Sequence, residues 1–158
     1  MLDEELLAAW LRLTNVIDNQ RLASAWGTAE LPFNEAMVCG LLAQAQEAGR
    51  CLTASALCRQ TCILKSQMNA ILRSLERKGL ISRRQSQSDR RLMELRLLPE
   101  GYALYQESHR RSIAITHCLI DRMGREQAQA LLPLLRQAAD IFETIPLEPK
   151  VREHRRHT

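Results

Sequence analysis

Aromatic residues are scarce in this sequence, and no apolar run approaches the length of a membrane span. Phe, Trp and Tyr together make up 4% of the 158 residues. A helix that crosses a bilayer needs about 20 mostly apolar residues in succession. The opening segment MLDEELL is acidic and does not have the pattern of a secretory signal. We therefore expect no membrane partner and a cytoplasmic location.

Motifs for catalysis and for metal binding are also absent from the sequence. It has no glycine-rich phosphate loop, no zincin motif and no nucleophile elbow. A zinc site needs about four ligands at suitable spacing. His109 and His117 are more than two helical turns apart, and a predicted turn separates Cys58 from Cys62. We expect no enzyme activity, no metal and no cofactor.

The cysteine content argues against a disulfide framework, because a chain expected to be cytoplasmic carries an odd number of cysteines. Two of the five, Cys51 and Cys62, lie in predicted loops and are expected to be exposed. A positively charged neighbourhood would make these two thiols redox-sensitive. Inert thiols, some of them packed as small apolar groups, are the alternative.

The residues that are abundant indicate a folded, mostly helical chain. Hydrophobic residues make up 46% and charged residues 25% of the sequence, as in ordinary globular domains, and Leu and Ala favour helices. Met93, Leu95 and Leu97 alternate with Glu94 and Arg96, and this period of two indicates a half-buried strand with the three apolar residues on its inner side. Four helices are predicted first: one over about residues 3–25, one that begins after an Asn34 cap, one that begins after a Thr53 cap, and one over 65–78. A hairpin with strands 81–85 and 92–98 follows. Two further helices, over 99–123 and 125–145, complete the predicted order.

Three residues mark predicted breaks in these elements. Gly79 follows the fourth helix, where a left-handed cap favours glycine. Pro99 suits the first position of the fifth helix. Pro133 lies inside the sixth helix and is expected to kink it or to reset its start. The fold class predicted from these elements is mainly α with a small β-hairpin wing and a winged helix-turn-helix; the helical dimerisation region that completes this prediction follows from the family resemblance described below.

Positive charge is concentrated in one block of the sequence. Residues 59–96 contain ten basic and three acidic side chains, a net charge of +7, whereas the whole chain has +4. The rest of the chain therefore has −3. This distribution is typical of a surface that meets a polyanion, most commonly duplex DNA. A solvated charged face is the alternative.

The same block has the layout of a winged helix-turn-helix, with two short helices, a turn and a basic hairpin. The fourth helix has the dimensions of a recognition helix, with one apolar face and one polar face. On the polar face, Gln67 and Asn69 suit adenine, and Arg73 suits guanine or a phosphate. Asp89 is expected to orient a neighbouring guanidinium. The candidate DNA-binding residues are Lys65, Ser66, Gln67, Asn69, Ala70, Arg73, Arg83, Arg84, Asp89, Arg90 and Arg91.

From Leu52 to Gly101 the sequence resembles the MarR-type (multiple-antibiotic-resistance) bacterial transcription regulators. The resemblance rests on Leu52-Thr53, Leu57, Leu72-x-x-Leu75-Glu76-x-Lys78-Gly79-Leu80-Ile81-x-Arg83, Asp89-x-Arg91 and Leu97-x-x-Glu100-Gly101. It implies that Arg91 is the minor-groove arginine of the wing and that Asp89 positions it. The groove-facing positions of the family fall on Ser66, Gln67, Asn69, Ala70 and Arg73.

The resemblance also implies a symmetric dimer in which the first, fifth and sixth helices interlock and the recognition helices sit one DNA turn apart. Ligand pockets in this family lie between the DNA-binding lobe and the dimer helices. Trp10, Trp26 and Phe33 are candidates for such a pocket, with plain core or interface residues as the alternative. Three departures from the family are Leu98 in place of a capping Thr, Arg73 in place of an acid, and no cysteine before Cys39.

The predicted organisation is an N-terminal dimerisation helix (1–32), a DNA-binding lobe (33–98), C-terminal dimerisation helices (99–146) and a basic mobile tail (147–158). The predicted function is a homodimeric transcriptional regulator, a repressor that binds a pseudo-palindromic DNA operator and is relieved by a small-molecule effector. Two alternatives are a thiol-redox-switched regulator of the same fold and a winged-helix protein-interaction module that does not bind DNA.

Overall fold

The computed structural model describes residues 1–18 and 26–145. Within them the chain is mainly helical with one antiparallel hairpin, which confirms the predicted fold class. No helix of these residues combines the length and apolar character that a bilayer span requires. The elements are α1 (Leu2–Asp18), α2 (Phe33–Glu47), α3 (Ala54–Thr61), α4 (Lys65–Arg77), β1 (Ile81–Gln85), β2 (Met93–Leu97), α5 (Pro99–Met123) and α6 (Arg125–Thr144).

The helix boundaries agree with the predicted ones except at the start of α2. Asn34 was expected to cap this helix, but α2 begins at Phe33 and the preceding cap residue is Pro32. Proline fixes its own φ near −65°, and the Pro32 carbonyl already accepts the first helical hydrogen bond, from the Ala36 amide at 2.9 Å. The predicted first helix matches α1 up to residue 18, and its remainder, 19–25, lies outside the described residues, as does the predicted tail.

The chain forms two compact units, of which the first comprises residues 1–116. In that unit α2, α3, α4 and the hairpin enclose one hydrophobic core. Leu57, Leu72, Leu75 and Leu95 are almost completely buried there. Removing each such side chain from water contributes roughly 1.5–3 kcal/mol, so burial of one face of each element determines how the lobe is assembled.

The hairpin pairs β1 with β2 in a register that runs from Ile81 opposite Leu97 to Gln85 opposite Met93. The Leu95 amide also donates to the Leu52 carbonyl oxygen at 2.8 Å, which adds a single-residue bridge to the edge of the hairpin. Leu95 and Leu97 are buried as the alternating pattern predicts, whereas Met93 is exposed. The prediction that Met93 points into the core is wrong. Met93 is the first residue of β2, at the turn end of the hairpin, and this end extends beyond the core.

Helix α2 is bonded to both α4 and the hairpin. Near its first turn, Glu35 forms a 2.6 Å ion pair with Lys78, the cap residue at the end of α4. Near its last turn, the Gln46 side-chain oxygen accepts a 2.6 Å hydrogen bond from the Leu97 amide of β2. One helix therefore fixes the end of α4 and the base of the hairpin at the same time.

Two glycines have defined structural roles. Gly79 has φ +70°, and the Leu80 amide beyond it donates to the Leu75 carbonyl oxygen at 2.9 Å, which is the predicted left-handed end of α4. Gly101 lies in the first turn of α5, and a Cβ there would collide with the Leu80 carbonyl oxygen and lie 2.7 Å from a Leu97 methyl carbon. The close approach of α5 to the hairpin thus depends on the missing side chain.

Pro133 does not reset the start of α6. The helix begins at Arg125, as predicted, and continues through Pro133 to Thr144. Gly124, with φ +95°, separates it from α5. None of the 20 residues of α6, all of them described, is buried in the chain.

Candidate nucleic-acid interface

Helix α4 has the two faces that the sequence predicts for a recognition helix. Met68, Leu72 and Leu75 are buried on one side, in the i, i+4, i+7 spacing of a single stripe. Most of the predicted DNA-binding residues of α4 are exposed, while Asn69 is half-buried. The exposed ones are Lys65, Ser66, Gln67, Ala70 and Arg73.

The turn between α3 and α4, which sets the direction of α4, is short and is stabilised by local hydrogen bonds. Thr53 caps α3 as predicted, since its hydroxyl accepts from the Ala56 amide at 3.2 Å. The Thr61 hydroxyl donates to the Leu57 carbonyl oxygen at 2.8 Å. Cys62 ends α3 in the left-handed conformation, with φ 55°. No sequence signal marks that conformation, because glycine or asparagine is the usual residue there.

The tip of the wing is an ordered turn. The Asp89 carboxylate accepts from the Arg91 amide at 2.9 Å, and the Asp89 carbonyl oxygen accepts from the Leu92 amide at 2.9 Å. The Gln85 side-chain amide donates to the Arg90 carbonyl oxygen at 2.6 Å. These bonds hold the backbone of the tip, and both arginine side chains remain exposed.

Asp89 therefore acts on the backbone in this structure. The sequence predicted that it orients a guanidinium, but among the ion pairs of residues 1–18 and 26–145 none joins Asp89 to an arginine. A short carboxylate in a turn commonly bonds the amide two residues later. Asp89 positions Arg91 by fixing the backbone from which Arg91 projects.

The two arginines of β1 differ in environment. The Arg83 side chain is half-buried, and its Nε donates to the Glu76 carboxylate of α4 at 2.8 Å. The guanidinium thus braces the hairpin against α4, while Arg84 is exposed. Of the two predicted DNA contacts, Arg84 is the one whose side chain is free of an ion pair within the described part of the chain.

An acidic group that sequence reasoning missed lies beside Cys51. Hydrogen bonds from Ser86 and Cys51 hold the pKa of Glu94 below its usual range. Cys51 and Cys62 are exposed, as predicted. Cys51 thus has a carboxylate as a hydrogen-bond partner, whereas the redox hypothesis assumed a positively charged neighbourhood.

Cys39 is the one cysteine that is fully buried among the five, all of which are described. Burial first, and then the neighbouring Glu35 carboxylate, raise the pKa of its thiol to about 12. The thiol is therefore protonated at neutral pH and packs as a small apolar group. In the described ranges, no three His, Cys, Asp or Glu side chains are grouped so as to hold a metal ion.

A cavity of about 260 Å³ lies between α2 and α5 within the first unit. Two of the three predicted ligand-binding residues, Trp26 and Phe33, meet in its wall with ring centroids 5.5 Å apart. The third, Trp10, is on α1 and is not among the residues that line it. The described lining consists of Trp26, Phe33, Ala36, Met37, Gly40, Leu41, Gln44, Tyr105, Ser108, His109 and Ser112.

The polar groups of this cavity were not predicted from the sequence. The rings of Tyr105 and His109 are in tilted contact, with centroids 5.5 Å apart, and the Ser108 hydroxyl donates to the Trp26 carbonyl oxygen at 2.6 Å. Burial first, then Glu47 and Tyr102, raise the pKa of Tyr105, so its hydroxyl remains a donor at neutral pH. The α5 positions 105, 108, 109 and 112 have helical spacing, but only the packed structure reveals which helix faces them.

Comparison with known proteins agrees with this geometry. The fold and the exposed face of α4 define a winged helix-turn-helix. Residues 31–92 match the model of the MarR family. The HTH-type transcriptional regulator FarR of Neisseria gonorrhoeae is 33% identical over 89 residues, which are 56% of this chain and 61% of that protein. The matched stretch thus spans less than two thirds of this relative.

Solved structures share the fold over most of the chain. NadR in complex with 4-hydroxyphenylacetate is 27% identical, with a TM-score of 0.60 over 92% of this chain and 94% of that one. The MepR–DNA complex of S. aureus is 18% identical, with a TM-score of 0.72 over 86% and 97% of the two chains. The resemblance to the MarR family that the sequence suggested is therefore found again in the family model over residues 31–92, in the curated relative and in the solved structures.

Proposed function

We propose that this chain is a homodimeric transcriptional regulator that binds a pseudo-palindromic DNA operator and acts as a repressor. The observation that carries the proposal is one lobe in which α4 exposes a polar, basic face and the adjoining wing presents two arginines on an ordered turn. Two such lobes, one per protomer, would read half-sites about 10 bp apart.

Each part of the lobe has a proposed target on DNA. Gln67 and Asn69 have side-chain amides that match the adenine edge, and Arg73 matches guanine or a phosphate. Arg91 enters the minor groove, where narrow A·T-rich segments attract a guanidinium. Arg84 and Arg90 neutralise phosphates, which gives affinity without sequence preference. Lys65, Ser66, Ala70 and Arg83 complete the proposed contact surface.

The dimer is supported by apolar residues that the single chain leaves uncovered. Helix α6 buries none of its 20 residues, although Leu132, Leu135 and Ile141 are large and apolar. Helix α1 likewise exposes Leu6, Leu7 and other apolar residues along its length. Exposed apolar surface of this extent is typical of a protein–protein interface. We assign it to a second copy of the same chain.

The effector is proposed to be a small monocyclic aromatic acid that binds the cavity between α2 and α5. NadR, whose structure was solved with 4-hydroxyphenylacetate, is the relative that suggests this class. The cavity of about 260 Å³ combines aromatic walls with the hydroxyl of Tyr105 and the imidazole of His109, a combination typical of small-molecule sites. Binding there would favour a dimer whose recognition helices are wrongly spaced for DNA.

Substitution of Arg91 tests the DNA-binding proposal. An operator would first be enriched from a random duplex pool with the wild-type protein, and its affinity would then be measured across a range of salt concentrations. We expect Arg91→Ala to weaken binding and to reduce the slope of log affinity against log salt by about one per wing, because one cation fewer displaces counterions from the DNA, while the dimer persists. Arg91→Lys keeps the charge and should retain the slope.

The same measurements separate this proposal from a winged-helix protein-interaction module. A module of that kind would show no affinity for any duplex at low salt. If Arg91→Ala bound the operator as tightly as the wild type, the wing would have no part in recognition. Gel filtration of both variants provides the control for dimerisation.

A further inference from the structure

Two large apolar side chains are exposed at the tip of the wing, beside its arginines. Leu92 is 47% exposed and Met93 is 46% exposed. Arg91 precedes them directly in the sequence. Single exposed apolar residues are common on protein surfaces, but here two large ones are adjacent and lie beside charged groups, as at the apolar sites where partners bind.

The two side chains project from opposite faces of the hairpin. Met93 is the first residue of β2 and lies on the same side as Leu95 and Leu97, two and four residues later. Leu92 precedes β2, but its carbonyl oxygen accepts from the Ser86 amide and so continues the strand pairing by one residue. Alternation therefore places the Leu92 side chain on the other side. The tip therefore has an apolar group on each flank and Arg91 beside them.

The backbone that carries them is held in place. The Leu92 amide donates to the Asp89 carbonyl oxygen, and the Ser86 amide donates to the Leu92 carbonyl oxygen, both at 2.9 Å. Leu92 thus takes part in two of the hydrogen bonds that fix the turn. A held backbone reduces the conformational entropy lost when these side chains bind a partner.

We propose that Leu92 and Met93 contact the deoxyribose walls of the minor groove on either side of Arg91. The inference rests on the proposed DNA-binding function and assigns two further residues to it. The sugars that form the groove walls present C–H groups, so an apolar flank gains by packing on them once a guanidinium has entered between. The affinity of the wing then depends on the width of the minor groove as well as on its electrostatic potential.

Charge selects DNA over another protein as the occupant. Arg84, Arg90, Arg91 and Arg96 are all exposed on this hairpin. A second wing would be repelled by them, and a neutral apolar partner would leave them desolvated. A duplex offers apolar sugars directly beside phosphates, which matches both kinds of side chain.

The double variant Leu92→Ser/Met93→Ser tests the inference, with Gln87→Ser as a control at the same tip. Apolar contacts release no counterions, so we expect affinity for the enriched operator to fall roughly 10-fold at every salt concentration, with the salt slope unchanged. Hydroxyl-radical cleavage, which attacks the sugars, should reveal lost protection at the wing sites alone. The control should retain both affinity and protection.

Three outcomes are informative. Unchanged affinity and unchanged sugar protection in a variant that is folded by circular dichroism would overturn the inference and leave the proposed function intact. A change in salt slope would assign the effect to charge, and would also overturn it. Absence of duplex binding by the wild-type protein would overturn the proposed function and this inference together. The single variant Leu92→Ser provides the same test if the double variant does not fold.

Discussion

At the residue scale, the lobe contains one thiol whose chemistry is set by burial. Cys39 lies in the core beside Glu35, and its pKa is raised from 9.0 to about 12. A thiol must lose its proton to act as a nucleophile. Reactivity at this position is therefore suppressed twice, by the protonated state and by the lack of access.

Thiol alkylation should distinguish Cys39 from the exposed cysteines. With iodoacetamide at pH 9, where half of an ordinary thiol is ionised, we expect Cys51, Cys62 and Cys118 to react in the native protein and Cys39 to remain unmodified. Unfolding in guanidinium should make Cys39 reactive. Mass spectrometry of peptides reports each site, and native labelling of Cys39 at the rate of Cys51 would contradict the burial argument.

Sequence reasoning predicted which candidate site residues of α4 are exposed, but it did not predict the partners of the candidate residues in the wing. The exposed face of α4 could be predicted without any knowledge of the fold, because the 3.6-residue period of a helix places Arg73 on a different face from Leu72. The bond from Asp89 to the Arg91 amide and the pairing of Arg83 with Glu76 could not. Each depends on the conformation of a turn or on the packing of one element against another, and neither leaves a periodic trace in the sequence.

At the element scale, the entry of α5 into the lobe depends on a backbone contact. A side chain at Gly101 would collide with the Leu80 carbonyl oxygen, whereas the space around Gly79 is open. The two positions therefore differ in the reason for glycine. At Gly101 the reason is space, and at Gly79 it is the positive φ of the helix end.

We expect Gly101→Ala to destabilise the protein more than Gly79→Ala does. Overpacking against backbone costs about 1–3 kcal/mol or more, since α5 must move away from the hairpin. A left-handed alanine with free space around it costs roughly 1 kcal/mol. Urea unfolding gives both values. Equal losses of unfolding free energy in the two variants would mean that α5 yields easily at this point.

Element types were easier to predict than element ends. Alternation around Leu95 correctly predicted a strand with Leu95 and Leu97 inward. The same alternation placed Met93 inward, because a periodic pattern carries no information about where the core stops. The start of α2 was placed wrongly since the geometry of Pro32 determines it, and the side chain of Asn34 does not.

At the scale of the whole molecule, α6 exposes a row of apolar residues that the proposed dimer would cover. Leu132 and Leu135 are two of them, and they are three residues apart, so they share a face. Placing a charge in such a buried interface costs far more than placing it in water. The dimer should therefore be sensitive to one carboxylate on this helix.

Leu135→Glu is expected to give a monomer at micromolar concentration, as measured by light scattering after gel filtration. A single lobe loses the gain of two linked half-site contacts, so operator affinity should fall by about 100-fold or more. Gln137→Glu adds the same charge two residues away on α6 and serves as the matched control. A dimeric Leu135→Glu protein would exclude this face of α6 from the interface.

Helix α2 lines the cavity along one side, through Phe33, Met37 and Gln44, while its ends are bonded to Lys78 and Leu97. A molecule in the cavity and a duplex bound to the lobe would therefore both act on helix α2. Thermodynamic reciprocity then requires that, if the effector lowers the affinity for the operator by some factor, the operator lowers the affinity for the effector by the same factor. A dimer bound to the operator would therefore bind the effector more weakly than a free dimer does. Promoter occupancy would then determine how much effector is needed to release the protein from DNA.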